Sequence, residues 1–243
     1  IFLKISFKLN FKQLIILMFL GFLFGVSALS LFNSFLHMDA GLASTILFTY
    51  PIFVAILMTI FFKEKNSIIT TLSIIFAFLG VILLYKGDGA NISSFGVFLV
   101  FVSSLCYAFY IIIINQYLKM EALKVTFYSM LFCAITIFIH SFFKESLNIM
   151  PLTNFKMWFY TLFLAFIPTI ISLLFLIKSI QIIGSTSASI LGALEPLTAV
   201  MIGVFVFSEK ISFALVIGIF LILFGVSLIV LKNYLEKVFK TRG

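Results

Sequence analysis

The sequence predicts an all-α polytopic membrane protein folded as an inverted-repeat helical bundle, with about eight transmembrane helices present of an expected ten (5+5). Two observations carry this reading. The chain is 63% hydrophobic and 10% charged, far from the balance of a soluble domain. Pro51, Glu64-Lys65 and Gly80-Val81 also recur as Pro196, Glu209-Lys210 and Gly225-Val226, each pair separated by the same 145 positions. Ala43-Ser44, Phe62 and Ser67 recur in that register as Ala188-Ser189, Phe207 and Ser212. An ordered set of this kind marks a duplication, because chance scatters identities.

Each element follows from length and apolarity, since about 20 mostly apolar residues cross the hydrocarbon. Such runs cover roughly 12–36, 42–62, 67–85, 95–115, 125–143, 157–178, 186–207 and 212–231. The first carries Gly21 and Gly25 at GxxxG spacing, a signal for close helix packing. Pro51 interrupts the second near its middle, and the run stops at Lys63-Glu64-Lys65. The third holds Gly80 and stops at Lys86. In the fourth lie Tyr107, Tyr110 and Asn115, further polar candidates, although aromatics toward a span end read more often as interfacial anchors. His140 closes the fifth, and Trp158, another expected anchor, opens a sixth that ends at Lys178. Glu195-Pro196 sits mid-way along the seventh, and Gly218 and Gly225 lie in the eighth. Barrel strands would alternate apolar and polar residues, which these runs do not.

Net charge of +8 comes from lysines at helix ends rather than from one basic surface, so nucleic acid is not an expected partner. With odd and even loops on opposite faces, the termini and the loops after spans two, four and six carry most of the lysines, including Lys12, Lys63, Lys119, Lys124, Lys232 and Lys240. By the positive-inside rule this face is cytoplasmic, so the C-terminus lies in the cytoplasm. The repeat offset places the start of the first repeat about fifty residues before Ile1, room for two further helices. Residues 1–88 then form the last three helices of a first repeat and 89–243 a second repeat of five. An odd number of helices per half inverts one half relative to the other, placing Glu64 at the cytoplasmic face and Glu209 outside.

The chain resembles the EamA family of the drug/metabolite transporter superfamily. The resemblance rests on an Ala-rich helix with a mid-span proline and terminal Glu, here Ala43 to Pro51 to Glu64, followed by Gly80-Val81. It occurs again as Ala188, Glu195-Pro196, Glu209, Gly218 and Gly225-Val226. It implies a secondary transporter or exporter of small metabolites in the inner, cytoplasmic membrane. The halves are chemically unequal, because Tyr50 stands where the repeat has Glu195.

The residues lead to similar expectations. Pro51 and Pro196 each remove one backbone hydrogen bond near the bilayer midplane, freeing the carbonyls of Leu47 and Gly192 for substrate, water or a neighbouring helix. Transporters place their sites at such discontinuities, although a proline kink can also serve packing alone. A mid-span carboxylate costs about 2.5 to 3.5 kcal/mol on insertion scales, so Glu195 is expected to face a cavity or a partner. It can carry a proton or pair with a cation. Lys178 is either that partner or a side chain snorkelling to the interface, the latter being favoured. Asn33, its repeat equivalent, supplies a polar group toward the end of the first span. Tyr50, Thr49 and Ser189 can line a wet cavity with Glu195, with interhelical hydrogen bonding as the plainer role. Glu64 and Glu209 read first as charged stops and second as gates.

Alternating exposure of a midplane cavity is therefore the expected function, with a small-molecule solute and the lipid bilayer as partners. Proton coupling and a homodimer stay open. The alternatives are a membrane structural or assembly protein that moves no solute and a flippase of lipid-linked substrates. There is no HExxH pair, G-x-S-x-G elbow or phosphate-binding GxxxxGK[ST] loop, so neither an enzyme, a metal nor another cofactor is expected. Cys106 and Cys133 lie in separate apolar spans and read as free thiols.

Overall fold

A computed structural model describes residues 7–38, 40–64, 67–84, 93–144, 155–207 and 213–240. Its helices are α1 (Phe11–Ser34), α2 (Ala40–Leu47), α3 (Tyr50–Phe62), α4 (Ile68–Leu84), α5 (Ser94–Tyr117), α6 (Ala122–Phe143), α7 (Phe155–Leu164), α8 (Ser172–Ile183), α9 (Ser185–Leu191), α10 (Leu194–Phe207) and α11 (Phe213–Lys240). A π-helical segment, Ala165–Ile171, joins α7 to α8. No strand occurs among the described residues. Runs long and apolar enough to cross a membrane are Phe11–Ser34, Ala43–Phe62, Ser94–Tyr117, Ala122–Phe143 and Phe155–Ile183, with shorter apolar helices at Ile68–Leu83 and Val216–Lys232. Among the described residues, each of the eight expected runs is helical over most of its length. The last continues beyond its expected end to Lys240.

Three of the runs are broken, each at a proline, and the freed carbonyl is satisfied differently each time. Pro51 leaves the Leu47 carbonyl without its usual N–H, and the Ser104 hydroxyl of α5 donates to it at 3.2 Å. Pro168 frees the Leu164 carbonyl, which accepts from the Thr169 hydroxyl at 3.0 Å within the widened π turn. At Pro196 the Gly192 carbonyl accepts from the Glu195 N–H at 2.9 Å in a tighter turn. In hydrocarbon, a kink persists only where such partners exist.

The halves pack as the repeat requires. Gly80 of α4 lies against the Gly218 carbonyl and Ile222 of α11, where an added Cβ would meet those atoms at 2.6 to 2.9 Å. Gly225 of α11 lies in turn against the Ser73 carbonyl and Ala77 of α4, at 2.7 and 3.0 Å. Subtracting the 145-residue offset turns 218 and 222 into 73 and 77, so the contact is reciprocal. Contacts rising along α4 from Ser73 to Gly80 meet residues falling along α11 from Gly225 to Gly218, which makes the equivalent helices antiparallel. The repeats are therefore inverted.

Helix α1 packs on α5 and α6. Gly21 and Gly25 bring its backbone against α6, where Cβ atoms would meet the Cys133 N–H and Ser129 carbonyl at 2.8 Å and Thr136 at 2.9 Å, as the GxxxG spacing predicts. Toward α5, Ser27 and Ser103 exchange hydroxyl-to-carbonyl bonds of 3.0 and 2.8 Å, both residues buried. The repeat equivalent of α1 differs: every residue of Phe155–Pro168 is exposed. Gly184 alone joins α8 to α9, and its φ of 83° requires glycine rather than its surroundings, which leave space for a side chain.

Candidate functional site

The two broken spans, α2–α3 and α9–α10, cover Ala40–Leu47 with Tyr50–Phe62 and Ser185–Leu191 with Leu194–Phe207. They therefore occupy the same repeat positions and bring their interruptions together. Tyr50, at the first break, donates its hydroxyl to the Ser189 carbonyl beside the second at 3.2 Å. Gly192 lies directly beneath that hydroxyl, which occupies the place a Cβ would take. The small-residue face of Ala188 and Gly192 thus admits a tyrosine from the other half.

Around this crossing several hydroxyls are engaged. Thr49 Oγ1 and Ser104 Oγ are 2.9 Å apart, and the Ser189 hydroxyl donates to the Thr186 carbonyl at 2.8 Å. Thr49, Tyr50, Pro51 and Ser189 are buried and Pro196 half-buried. Glu195 differs from all of these. Its side chain is exposed at mid-span, and among the described residues its carboxylate has no hydrogen-bond or ion-pair partner. It lies within electrostatic reach of the Tyr50 and Tyr107 hydroxyls.

Aromatic rings form one wall of the crossing. Tyr107 of α5 is edge-to-face with Tyr50, centroids 4.9 Å apart, and near-parallel to Tyr110 at 6.2 Å. Phe24 of α1 lies 5.0 Å from Tyr110, and Phe48 lies 5.9 Å from Tyr50. The expectation that Tyr107 and Tyr110 anchor the interface is corrected here: Tyr110 is fully buried and Tyr107 half-buried at the centre of the bundle. Their depth inside α5 was the available signal, because Tyr107 stands well inside Ser94–Tyr117. The Tyr110 hydroxyl makes no hydrogen bond among the described residues.

Other expected residues lie apart from Glu195. The Asn33 amide donates to the Leu29 carbonyl of its own helix at 2.8 Å. Lys178 is exposed and forms no ion pair with Glu195. Gln181, one turn later, donates to the Met120 carbonyl between α5 and α6 at 2.7 Å, tying this end of α8 to the lysine-rich face.

At that same face Glu64 joins the two halves. Lys63 takes a left-handed conformation, φ 53°, and the Glu64 N–H returns to the Met58 carbonyl at 3.2 Å, closing α3. Beyond this cap, Glu64 Oε2 accepts from the Thr186 hydroxyl at the start of α9 at 3.3 Å. Asn115 donates to the Ser185 hydroxyl at 3.2 Å beside it. Glu209, the repeat equivalent, lies outside the described residues. No group of three or more His, Cys, Asp or Glu that could hold a metal occurs among the described residues.

Comparison with known proteins agrees with this architecture. The model of the EamA-like transporter family matches residues 1–86 and 94–231. A protein of Archaeoglobus fulgidus named "Uncharacterized transporter" is 36% identical over 105 residues, 42% of this chain and 37% of its own length. The "Uncharacterized transporter YyaM" of Bacillus subtilis is 28% identical over 185 residues, 72% of this chain and 59% of its own length. The chain thus spans less than two thirds of either. A second Archaeoglobus fulgidus protein named "Uncharacterized transporter" is 26% identical across 86% of this chain and 72% of its own length. A crystal structure aligns with a TM-score of 0.74 at 15% identity, covering 93% of this chain and 77% of the other, which is a likeness of fold.

Proposed function

The chain belongs to the EamA-like transporter family, and from that premise we propose that it is a multi-pass secondary transporter exporting small metabolites through alternating access of a midplane site. The observation that carries this reading is Glu195, an exposed mid-span carboxylate without a partner among the described residues, beside the crossing of two broken helices that Tyr50 and Ser189 mark. A group that is expensive in hydrocarbon and finds no partner among the described residues calls for water or a ligand. Tyr50, Thr49, Pro51, Ser189 and Pro196 frame that site.

Glu64 with Thr186, and Asn115 with Ser185, form the closure of the lysine-rich end. The first of these bonds joins the first repeat to the second and the other ties α5 to α9 beside it, so opening that end requires breaking them. By the positive-inside rule the closed end is cytoplasmic and the C-terminus lies there, in the inner membrane.

We assign residues 1–88 to the last three helices of one repeat and 89–243 to the five of the other. Support comes from the inverted symmetry: α5 and α6 cover α1, whereas the equivalent face over Phe155–Pro168 is bare. Equivalents of α5 and α6 would cover it.

The direct test is solute flux in proteoliposomes, screening amino acids, other small metabolites and organic cations with and without a pH gradient, beside Glu195→Gln. Solute-specific flux that falls at least about ten-fold in a folded mutant is the expected result. Dependence of that flux on the gradient identifies proton coupling. A folded, inserted protein that moves no solute overturns the reading and favours a structural or lipid-handling role.

A further inference from the structure

We infer that the lysine-rich end holds a site for the phosphate of an anionic phospholipid, centred on Lys124 where α1 meets α6. The site lies apart from Glu195 and is independent of which solute moves. Lys124 stands in the first turn of α6 and is only 9% exposed. Its ammonium donates to the Lys8 backbone carbonyl and, among the described residues, has no other hydrogen-bond partner and no ion pair. An ammonium carries three donors, so two are left over, and a neutral carbonyl leaves the positive charge uncompensated. A charge so far removed from water is costly unless an opposite charge meets it. Glu121, the acid nearest to it in sequence, is exposed and forms no ion pair with it.

The neighbourhood matches both halves of a phospholipid. Residues 7–10, which precede α1, are held on α6 by two side chains. One is Lys124, and the other is Tyr128, whose hydroxyl donates to the Phe7 carbonyl at 2.9 Å. Lys8 and Lys12 stay exposed. Phe7 packs edge-to-face on Phe127 of α6, centroids 5.5 Å apart, and both rings remain open on their other sides, at 43% and 52% exposure. Helices α1 and α6 run parallel, Gly21 meeting Phe132 and Gly25 meeting Thr136, so their positive N-terminal ends lie together here. Basic groups flanking exposed rings suit a phosphate with acyl chains attached, as in basic pockets between membrane helices. Free phosphate gains nothing from the rings, and a zwitterionic headgroup brings its own cation beside the phosphate.

The test measures saturable binding of phosphatidylglycerol and phosphatidylcholine, with identical acyl chains, to the purified full chain in neutral detergent, read by native mass spectrometry. Phosphatidylglycerol is expected to bind at least about five-fold tighter, the scale of one lysine beside an anionic headgroup. Lys124→Met keeps the stem without the charge and should abolish the preference, whereas Lys124→Arg should keep it. Lys8→Gln combined with Lys12→Gln alters only exposed side chains and should lower the preference by about two-fold. Lys63→Gln, on the same face but at the end of α3, which packs on α5 and α9, should leave it unchanged. Thermal unfolding reports that each variant is folded, and the comparison of the two lipids on the unmutated protein needs no variant. Equal binding of the two lipids, or an unchanged preference in folded Lys124→Met, overturns the proposal. An equal loss in Lys63→Gln overturns the site in favour of diffuse surface charge. Displacement of the lipid by equimolar inorganic phosphate overturns phospholipid as the occupant. Solute flux is measured separately, so each of these failures leaves the transporter reading standing.

Discussion

A methyl group at Gly192 would occupy the place of the Tyr50 hydroxyl, so this pair of residues tests the crossing at the smallest scale. Gly192→Ala is expected to destabilise the protein by about 1–3 kcal/mol, the usual cost of overpacking. Tyr50→Phe removes the obstructing oxygen and with it the bond to Ser189. In a double-mutant cycle read by thermal unfolding, Tyr50→Phe should therefore recover part of the Gly192→Ala loss, a coupling of about 1 kcal/mol. Additive effects would mean that the two residues do not meet. Little of this pairing was legible in the sequence. The offset of 145 positions showed that Tyr50 and Glu195 are equivalent. That equivalence does not reveal that Tyr50 reaches across to the other half while Glu195 finds no partner among the described residues, because both outcomes satisfy the same local pattern.

At the scale of the element, the prolines locate the breaks and the neighbours decide how each is healed. Pro51 and Pro196 marked interruptions at mid-span, and both spans are broken there. Which group takes the orphaned carbonyl was open from the sequence, since a hydroxyl from any adjacent helix fits the requirement equally. Ser104→Ala removes the donor to Leu47 and the partner of Thr49. It should lower stability by about 1 kcal/mol, the scale of interhelical hydrogen bonds in membranes. Pro51→Ala restores an N–H in register with Leu47, so the double variant Ser104→Ala with Pro51→Ala should be more stable than Ser104→Ala alone. Thermal unfolding in detergent distinguishes these orders. The sequence reading passed over Pro168, whose π segment carries its own remedy in Thr169; a hydroxyl one residue after the proline was the signal available.

Across the whole molecule, the inverted symmetry predicts paired consequences. Gly80→Ala and Gly225→Ala press on opposite ends of one reciprocal contact between α4 and α11. Each should destabilise by a similar amount, about 1–3 kcal/mol, in thermal unfolding; a large effect at one and none at the other would contradict the two-fold relation. The closure at the lysine-rich end makes a second prediction. Thr186→Val removes the donor to Glu64 while keeping the side chain's shape, and should raise labelling, by a membrane-impermeant thiol reagent, of a cysteine placed at Ser185 by at least about two-fold. Unchanged labelling would leave Glu64 as a charged helix stop only.

Composition and the 145-residue repeat alone determined the solvent of this protein, its helices, its duplication and the family resemblance. The physical reason is that hydrocarbon admits few spanning structures, so apolar run length and internal repetition suffice to select one. Tertiary structure decided the rest: Tyr107 and Tyr110 at the centre instead of the interface, Asn33 turned onto its own helix, Glu64 bonded across the halves, and Glu195 without a partner among the described residues. Those outcomes depend on which helix faces meet. A span apolar on every face carries no periodic signal of which side packs inward, so its neighbours alone assign it.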